Sequence, residues 1–164
     1  MMQKKHVVVR KTAKKGRGVF ALRSFKEREF IMKVRGKVIK REDMVNLSRY
    51  LRFHLDTVGK DKYIKMGYPE RYINHSCSPN VFEQDGKIFA MRSIKENEEL
   101  GFDYSICSID DWTMKCRCRS KNCRKVIRGD FFKLPIELQI RYSPYLDSWF
   151  KKEFKNRIIS HGFY

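Results

Sequence analysis

No stretch of this chain approaches the roughly 20 consecutive apolar residues that a membrane-spanning helix requires, so no membrane partner is expected. The first 15 residues carry Lys4, Lys5, Arg10, Lys11, Lys14 and Lys15 and no acid. Their only apolar run is Val7, Val8 and Val9, too short for the core of an export signal. A soluble intracellular protein is therefore expected, cytoplasmic or in the nucleus or nucleoid. Internal repeats, low-complexity tracts and long linkers are missing as well. A length of 164 residues suits one domain able to bury about 70% of the surface its unfolded chain exposes.

Acidic residues are scarce: 19 Asp and Glu stand against 37 Lys and Arg, a formal charge of +18. Such an excess draws polyanions. The cations are spread along the chain rather than gathered in one tail, so two readings stay open: association with nucleic acid, and a merely Lys-rich soluble surface.

Hydrophobic residues at 41% and aromatics at 13% supply a core, and their pattern is one of short strands. Residues 7–9 and 19–22 read as strands around the turn Lys14-Lys15-Gly16-Arg17-Gly18, and residues 30–34 and 37–39 as two more around Gly36. Residues 41–50 suit a short helix, whereas 50–55 and 62–66 read as extended. Residues 81–84 and 87–90 flank Asp85-Gly86, the pair that a type I′ hairpin favours because both positions need positive φ. From Pro135 the spacing becomes helical, with Pro135 in a first turn and Asp147 or Ser148 opening a second helix. Short strands with few helices predict a β-rich α+β fold of small sheets.

In a chain without an export signal, five cysteines argue for metal ligation over disulfides. Cys116, Cys118 and Cys123 are spaced Cys-x-Cys-x4-Cys, compact enough to wrap one ion, and a closed zinc site needs four ligands. Cys77, in the run Asn74-His75-Ser76-Cys77, is the natural fourth. Cys107 lacks such a context and reads as a buried small hydrophobe or a free thiol. Arg117, Arg119, Lys121, Arg124 and Lys125 surround the cluster and help keep thiolates ionised. Three unligated thiols in a polar loop are the alternative. Structural zinc contributes about 10 to 16 kcal/mol of apparent binding free energy in small peptides, enough to order a segment without its own core.

Taken singly, Lys15-Gly16-Arg17-Gly18 is a turn, His75 a structural histidine, Asn74 a turn residue and Tyr104 a core aromatic. In order, however, Gly16-Arg17-Gly18-Val19-Phe20-Ala21, Gly36-Lys37-Val38-Ile39, Gly67 with Arg71-Tyr72-Ile73-Asn74-His75-Ser76-Cys77-Ser78-Pro79-Asn80, Glu98-Glu99-Leu100-Gly101-Phe102-Asp103-Tyr104 and the three-cysteine loop form a series. The chain thereby resembles the SET-domain protein lysine methyltransferases with a post-SET zinc element, from about Lys4 to Arg124.

The resemblance implies a SET-domain fold with a knot-like core, a post-SET zinc loop and a helical C-terminal tail. It implies SET-domain residues 1–110, the zinc loop at 111–125 and a helical extension at 126–164 packed on the same core. It implies S-adenosylmethionine held by Lys15, Gly16, Arg17, Gly18, Arg71, Tyr72, Asn74 and His75, with Tyr104 catalytic. Phe102 and Tyr104 would wall the substrate-lysine channel, Phe102 leaving room for di- or trimethylation. Val34, Gly101 and Tyr68 depart from the common family pattern.

The expected activity is methyl transfer to lysine of a basic, nucleic-acid-associated protein, a histone or a ribosomal protein. A +18 chain repels such a substrate unless acids such as Glu70, Glu83 or Asp103 line the approach or a polyanion sits between the two, and DNA-bound basic proteins meet the second condition. The alternative is a non-catalytic, basic zinc-containing module that docks on DNA or chromatin.

Overall fold

The computed structural model describes residues 6–52 and 54–158; Lys4, Lys5 and Phe53 lie outside the described residues. In chain order come the strands β1 (Val7–Lys11), β2 (Arg17–Ala21), β3 (Phe30–Lys33) and β4 (Gly36–Lys40), the one-turn helix α1 (Arg49–Arg52), then β5 (Leu55–Gly59) and β6 (Lys62–Met66). The middle holds β7 (Asn74–His75), β8 (Val81–Gln84), β9 (Lys87–Ala90) and β10 (Gly101–Phe102). The chain then runs through β11 (Ile109–Lys115), β12 (Val126–Asp130), α2 (Ile136–Tyr142) and α3 (Ser148–Glu153).

These strands form five small sheets: the antiparallel pairs β1-β2 and β11-β12, the three-stranded sheets β3-β9-β8 and β4-β6-β5, and the parallel pair β7-β10. β2 buries Val19 and Ala21 completely, and they pack with Phe25, Ile31, Ile73, Val81, Ile88, Ala90, Ile94 and Leu100 in one core. The β-rich α+β class with small sheets is the one the sequence pattern implies.

Asp85 and Gly86 join β8 to β9 with φ of 51° and 72°, the doubly left-handed turn whose twist matches that of the strands. The β3 and β4 strands flanking Gly36 do not pair with each other; they belong to separate sheets. Among residues 50–55 the expectation of extended backbone is corrected: residues 50–52 belong to α1, Phe53 lies outside the described residues, and β5 starts only at Leu55. The physical reason is Ser48. Its hydroxyl accepts the Leu51 N–H (3.4 Å) and its carbonyl the Arg52 N–H (3.2 Å), a local cap that outweighs the apolar pattern. Pro135 is the N-cap of α2 rather than part of its first turn, with extended backbone (ψ 143°).

A second core joins Ile106 and Cys107 to Phe131, Leu134, Tyr142, Leu146 and Phe150. Cys107 is buried, and its sulfur accepts the Asp147 N–H at 3.2 Å. The β8-β9 turn is fastened to the same segment. Asp85 accepts from Ser148 N (3.0 Å) and Oγ (2.7 Å), Asp147 accepts the Asp85 N–H in return, and Gln84 Nε2 donates to the Leu146 carbonyl (3.1 Å).

Burial pushes the Asp147 carboxyl up to about 6, helped by the charge of Asp56, while its hydrogen bond from Asp85 acts the other way. A carboxyl raised above its unfolded value contributes stability that is complete below about pH 4 and lost as pH rises toward 6. Asp147→Asn removes this dependence. Chemical denaturation of both proteins should show the variant gaining about 3 kcal/mol relative to the parent between pH 4 and pH 7. A pH-independent difference contradicts the assignment.

Candidate active site and metal cluster

The site is built where residues 73–80 meet residues 98–105. Asn74 pairs with Gly101 and His75 with Phe102 in parallel register. Two residues of strand cannot hold such a pair alone, and Asn80 supplies the rest. It is buried (3% exposed). Its N–H donates to the Gly101 carbonyl (3.0 Å), its Oδ1 accepts the Gly101 N–H (2.8 Å), and its Nδ2 donates to Glu98 Oε1 and the Glu99 carbonyl (2.9 Å each). Ser76 N adds a bond to the Phe102 carbonyl (2.8 Å).

The β1-β2 turn docks on this crossing. Asn74 Nδ2 donates to the Arg17 carbonyl (2.8 Å) and to Glu99 Oε1 (2.9 Å), and Lys15 Nζ pairs with Glu99 at 2.9 Å. Gly18 permits the approach, because a Cβ there would collide with Glu99, Thr12 and Asn74. Arg17 and Arg71 both donate to the Tyr72 hydroxyl (3.3 and 3.1 Å), and these hydrogen bonds hold the Tyr72 phenol below its usual range. Lys15, Gly16, Arg17, Gly18, Arg71, Tyr72 and Asn74 thus converge on one face. Beside it an open basic depression of about 500 Å³ is lined by Lys14, Arg117 and Arg119.

Tyr104 lies on the inner side of the crossing. Its hydroxyl donates to the Ile73 carbonyl (2.8 Å) and its N–H to His75 Nδ1 (3.2 Å). Its ring lies 6.4 Å from that of Phe102 and 5.3 Å from the His75 imidazole. Burial raises the phenol well above its usual value, so Tyr104 stays protonated at neutral pH and serves as a donor, not a base.

His75 faces the cysteines with its other nitrogen. Since Nδ1 accepts from Tyr104, the neutral ring carries its proton on Nε2, 3.2 Å from Cys77 Sγ. The ring is neutral because burial, reinforced by Arg124 and Lys15, pushes it down to about 4 against the pull of Asp103. His75, Cys77, Cys116 and Cys118 present ligand atoms all within 4.8 Å of one another. Cys77 and Cys116 Sγ are 3.7 Å apart, close to the roughly 3.8 Å between two sulfurs on a tetrahedral zinc. Cys123 packs on the same cluster.

Burial pushes the Cys77 and Cys116 thiols up. At Cys118 burial also raises the thiol, but hydrogen bonds from Ser120 and the main chain bring it down to about 6. A divalent cation is what would hold all of these as thiolates, so the residues fit zinc. A protonated Nε2 donates to sulfur and offers the metal no lone pair. In that tautomer His75 stands behind Cys77, so the close group holds three thiols, Cys77, Cys116 and Cys118, and Cys123 lies outside it, packed against the cluster.

Arg124, read in the sequence as support for the thiolates, and Asp103, read there as an acid of the substrate approach, instead pair with each other. Asp103 is wholly buried and takes a bidentate bond from Arg124 (2.6 and 2.7 Å). The Tyr142 hydroxyl (3.1 Å) and Ser105 N (3.1 Å) also donate to it. Burial works against the Arg124 charge, and Asp103 more than offsets it. Breaking such a pair from one side costs about 3–5 kcal/mol.

Glu70, Glu83 and Asp103 do not line a substrate approach, because all three are buried. Glu83 instead lies in a tightly packed cluster with Asp56, Thr57, Phe102, Ile106, Cys107 and Asp147. Burial first, then the neighbouring Asp56 carboxylate, pushes Glu83 well above the usual range. Burial shifts all three acids of this cluster, Asp56, Glu83 and Asp147, toward the neutral form. Glu99 was legible only as part of a motif; its role as the bridge between Lys15 and Asn74 needs the fold.

One zinc per chain is expected by metal analysis, lost on Cys123→Ser and retained on His75→Gln. Chelation should speed amide exchange in β11-β12 and leave β1-β2 unchanged. Metal-free protein with the same exchange pattern, or zinc lost with His75 but kept without Cys123, contradicts this reading.

Comparison with known proteins agrees with the geometry. The SET domain family profile matches residues 16–105. The chain is 35% identical over 140 residues to the variant-silencing SET domain-containing protein of Plasmodium falciparum (isolate 3D7), covering 73% of this chain and 6% of that protein. It is 34% identical over 149 residues to the probable histone-lysine N-methyltransferase set-23 of Caenorhabditis briggsae, covering 76% and 61%. It is 33% identical over 140 residues to the H3 lysine-36 specific histone-lysine N-methyltransferase of Candida albicans (strain SC5314 / ATCC MYA-2876), covering 75% and 17%. The chain thus spans less than two thirds of the length of each of these relatives. With more than half of its residues matched by the profile and its β7-β10 crossing set beside a cysteine cluster, this chain belongs to the SET domain family.

Proposed function

We propose that this protein is an S-adenosylmethionine-dependent protein-lysine N-methyltransferase with a structural zinc on Cys77, Cys116, Cys118 and Cys123. The carrying observation is the placement of the Tyr104 hydroxyl, fixed on the Ile73 carbonyl beside Asn74 and kept protonated by burial. The cofactor supplies a methyl group already activated on a sulfonium. It would be held by Lys15, Gly16, Arg17 and Gly18 on one side and by Arg71, Tyr72, Asn74 and His75 on the other. Arg17, Arg71 and Lys15 suit its carboxylate.

The chain then has two tasks. It must hold a neutral amine in line with the methyl at near-attack distance, and it must ease the loss of the amine's proton. For a lysine of pKa near 10.4 that loss costs about 4 kcal/mol at pH 7.4, and the aromatic wall of Phe102 and Tyr104 reduces it by desolvating the ammonium. The Tyr104 hydroxyl and nearby carbonyl oxygens stabilise partial positive charge on the methyl in transit. Phe102 carries no hydroxyl, so di- or trimethyl-lysine is the product it suits.

The substrate we propose is a histone or another protein that packages nucleic acid, acting at chromatin or the nucleoid. Two of the compared relatives carry histone-lysine methyltransferase names. A +18 chain repels a free lysine-rich tail, and a polyanion between them removes that repulsion. A ribosomal protein meets the same condition.

Labelled S-adenosylmethionine with DNA-bound histones should give transfer that falls about 10²-fold in Tyr104→Phe, while cofactor affinity by calorimetry changes little. Mass spectra of the product report its methylation state. If the parent chain neither binds the cofactor nor labels any basic protein but binds DNA, the non-catalytic module is the correct reading.

A further inference from the structure

The active tyrosine and the cysteine loop are separated in sequence, yet a single ion pair joins them at one residue's remove from each. Arg124 follows Cys123 directly, and Asp103 precedes Tyr104 directly. At the loop end, the Arg124 N–H donates to Cys77 Sγ at 3.4 Å, so its main chain is fixed to the cluster on both sides. At the other end, two parallel bonds of 2.6 and 2.7 Å reach Asp103, and Nη2 adds Ser105 Oγ at 3.2 Å. A bidentate fork fixes the plane of the carboxylate as well as its distance. Asp103 is wholly buried and is braced from a third direction by the Tyr142 hydroxyl of α2 (3.1 Å). Rotation about the Asp103-Tyr104 backbone is thereby resisted from three elements.

From this geometry we infer that Arg124 is a positioning residue: its fork on Asp103 carries the set of the cysteine loop to Tyr104 and holds the phenol in its working orientation. The inference deepens the methyltransferase reading and rests on it for its consequence in turnover. It assigns no chemistry to Arg124, whose guanidinium makes no contact with the Tyr104 hydroxyl among the hydrogen bonds of the described residues.

The test uses the full chain loaded with zinc. Arg124→Lys keeps the charge and loses the fork. The double variant Arg124→Met with Asp103→Asn removes both charges and leaves no buried charge unpaired. Protein labelled with 3-fluorotyrosine, its Tyr104 line assigned from Tyr104→Phe, is followed by fluorine NMR alongside zinc content and steady-state kinetics.

We expect one zinc per chain in both variants, a shifted or broadened Tyr104 line, a change at Tyr142, whose hydroxyl bonds Asp103, and the remaining tyrosine lines largely in place. With turnover measured, kcat should fall about 10²-fold while the KM for S-adenosylmethionine stays within about threefold; Arg124→Lys should recover part of the loss. An unmoved Tyr104 line with zinc retained overturns the inference. So does loss of zinc and of the whole tyrosine spectrum in both variants, which would make the pair a general support of the fold. If the parent chain transfers no methyl group, the functional reading fails, and the fluorine spectra still decide the positioning claim.

Discussion

The structure depends on one imidazole. His75 lies on the short parallel pair, where two-residue strands provide little hydrogen bonding of their own, and both its nitrogens are engaged. Nδ1 accepts from Tyr104 N, and the proton on Nε2 points at Cys77. Because the ring is buried and neutral, one tautomer serves both bonds. It links the segment bearing Asn74, the segment bearing Tyr104 and the sulfur cluster. A positively charged ring could not accept from Tyr104, and a Gln side chain could reach only one of the two partners in the same geometry.

The second constraint is where the acids go. Of a chain with few of them, Glu70, Glu83, Asp103 and Asp147 are buried. Asp103 is charge-paired with Arg124, while Glu83 and Asp147 are pushed toward the neutral form chiefly by burial. Carboxyls withdrawn from the surface leave it more positive than composition implies. Sequence charge alone gave two readings, nucleic-acid association and a Lys-rich surface. The inward acids and the basic depression of Lys14, Arg117 and Arg119 are the features on which the proposed polyanion in the substrate complex rests.

Local signals carried much of the fold. Asp85-Gly86 determines its hairpin through backbone sterics alone, and β1, β2, β6, β8 and β9 follow β-rich runs of apolar residues. The cysteines are legible because metal spacing is a short-range property, although the nearness of His75 to three of them is not. The β11-β12 ribbon was missed because its alternation is short: only Trp112 and Met114 face inward between exposed Asp111, Thr113 and Lys115, and they pack on the cysteine cluster rather than on either main core. The α1 turn was misread because Ser48 acts through capping rather than through hydrophobic pattern. Arg124, Glu99 and the inward position of Glu83 required tertiary structure, since their partners lie 21, 84 and more than 20 residues away; a charged side chain in sequence does not declare whether it faces water or a buried partner.

The central claim is that the crossing of the asparagine-histidine and phenylalanine-tyrosine segments forms a transfer site with two entrances. A crystal structure with S-adenosylhomocysteine and a lysine peptide tests it most directly. The account predicts the cofactor sulfur against the Lys15–Gly18 face and the peptide amine arriving from the Phe102 side, the two meeting beside the Tyr104 hydroxyl. Cofactor bound elsewhere, or a lysine that cannot come within contact of that hydroxyl, contradicts it.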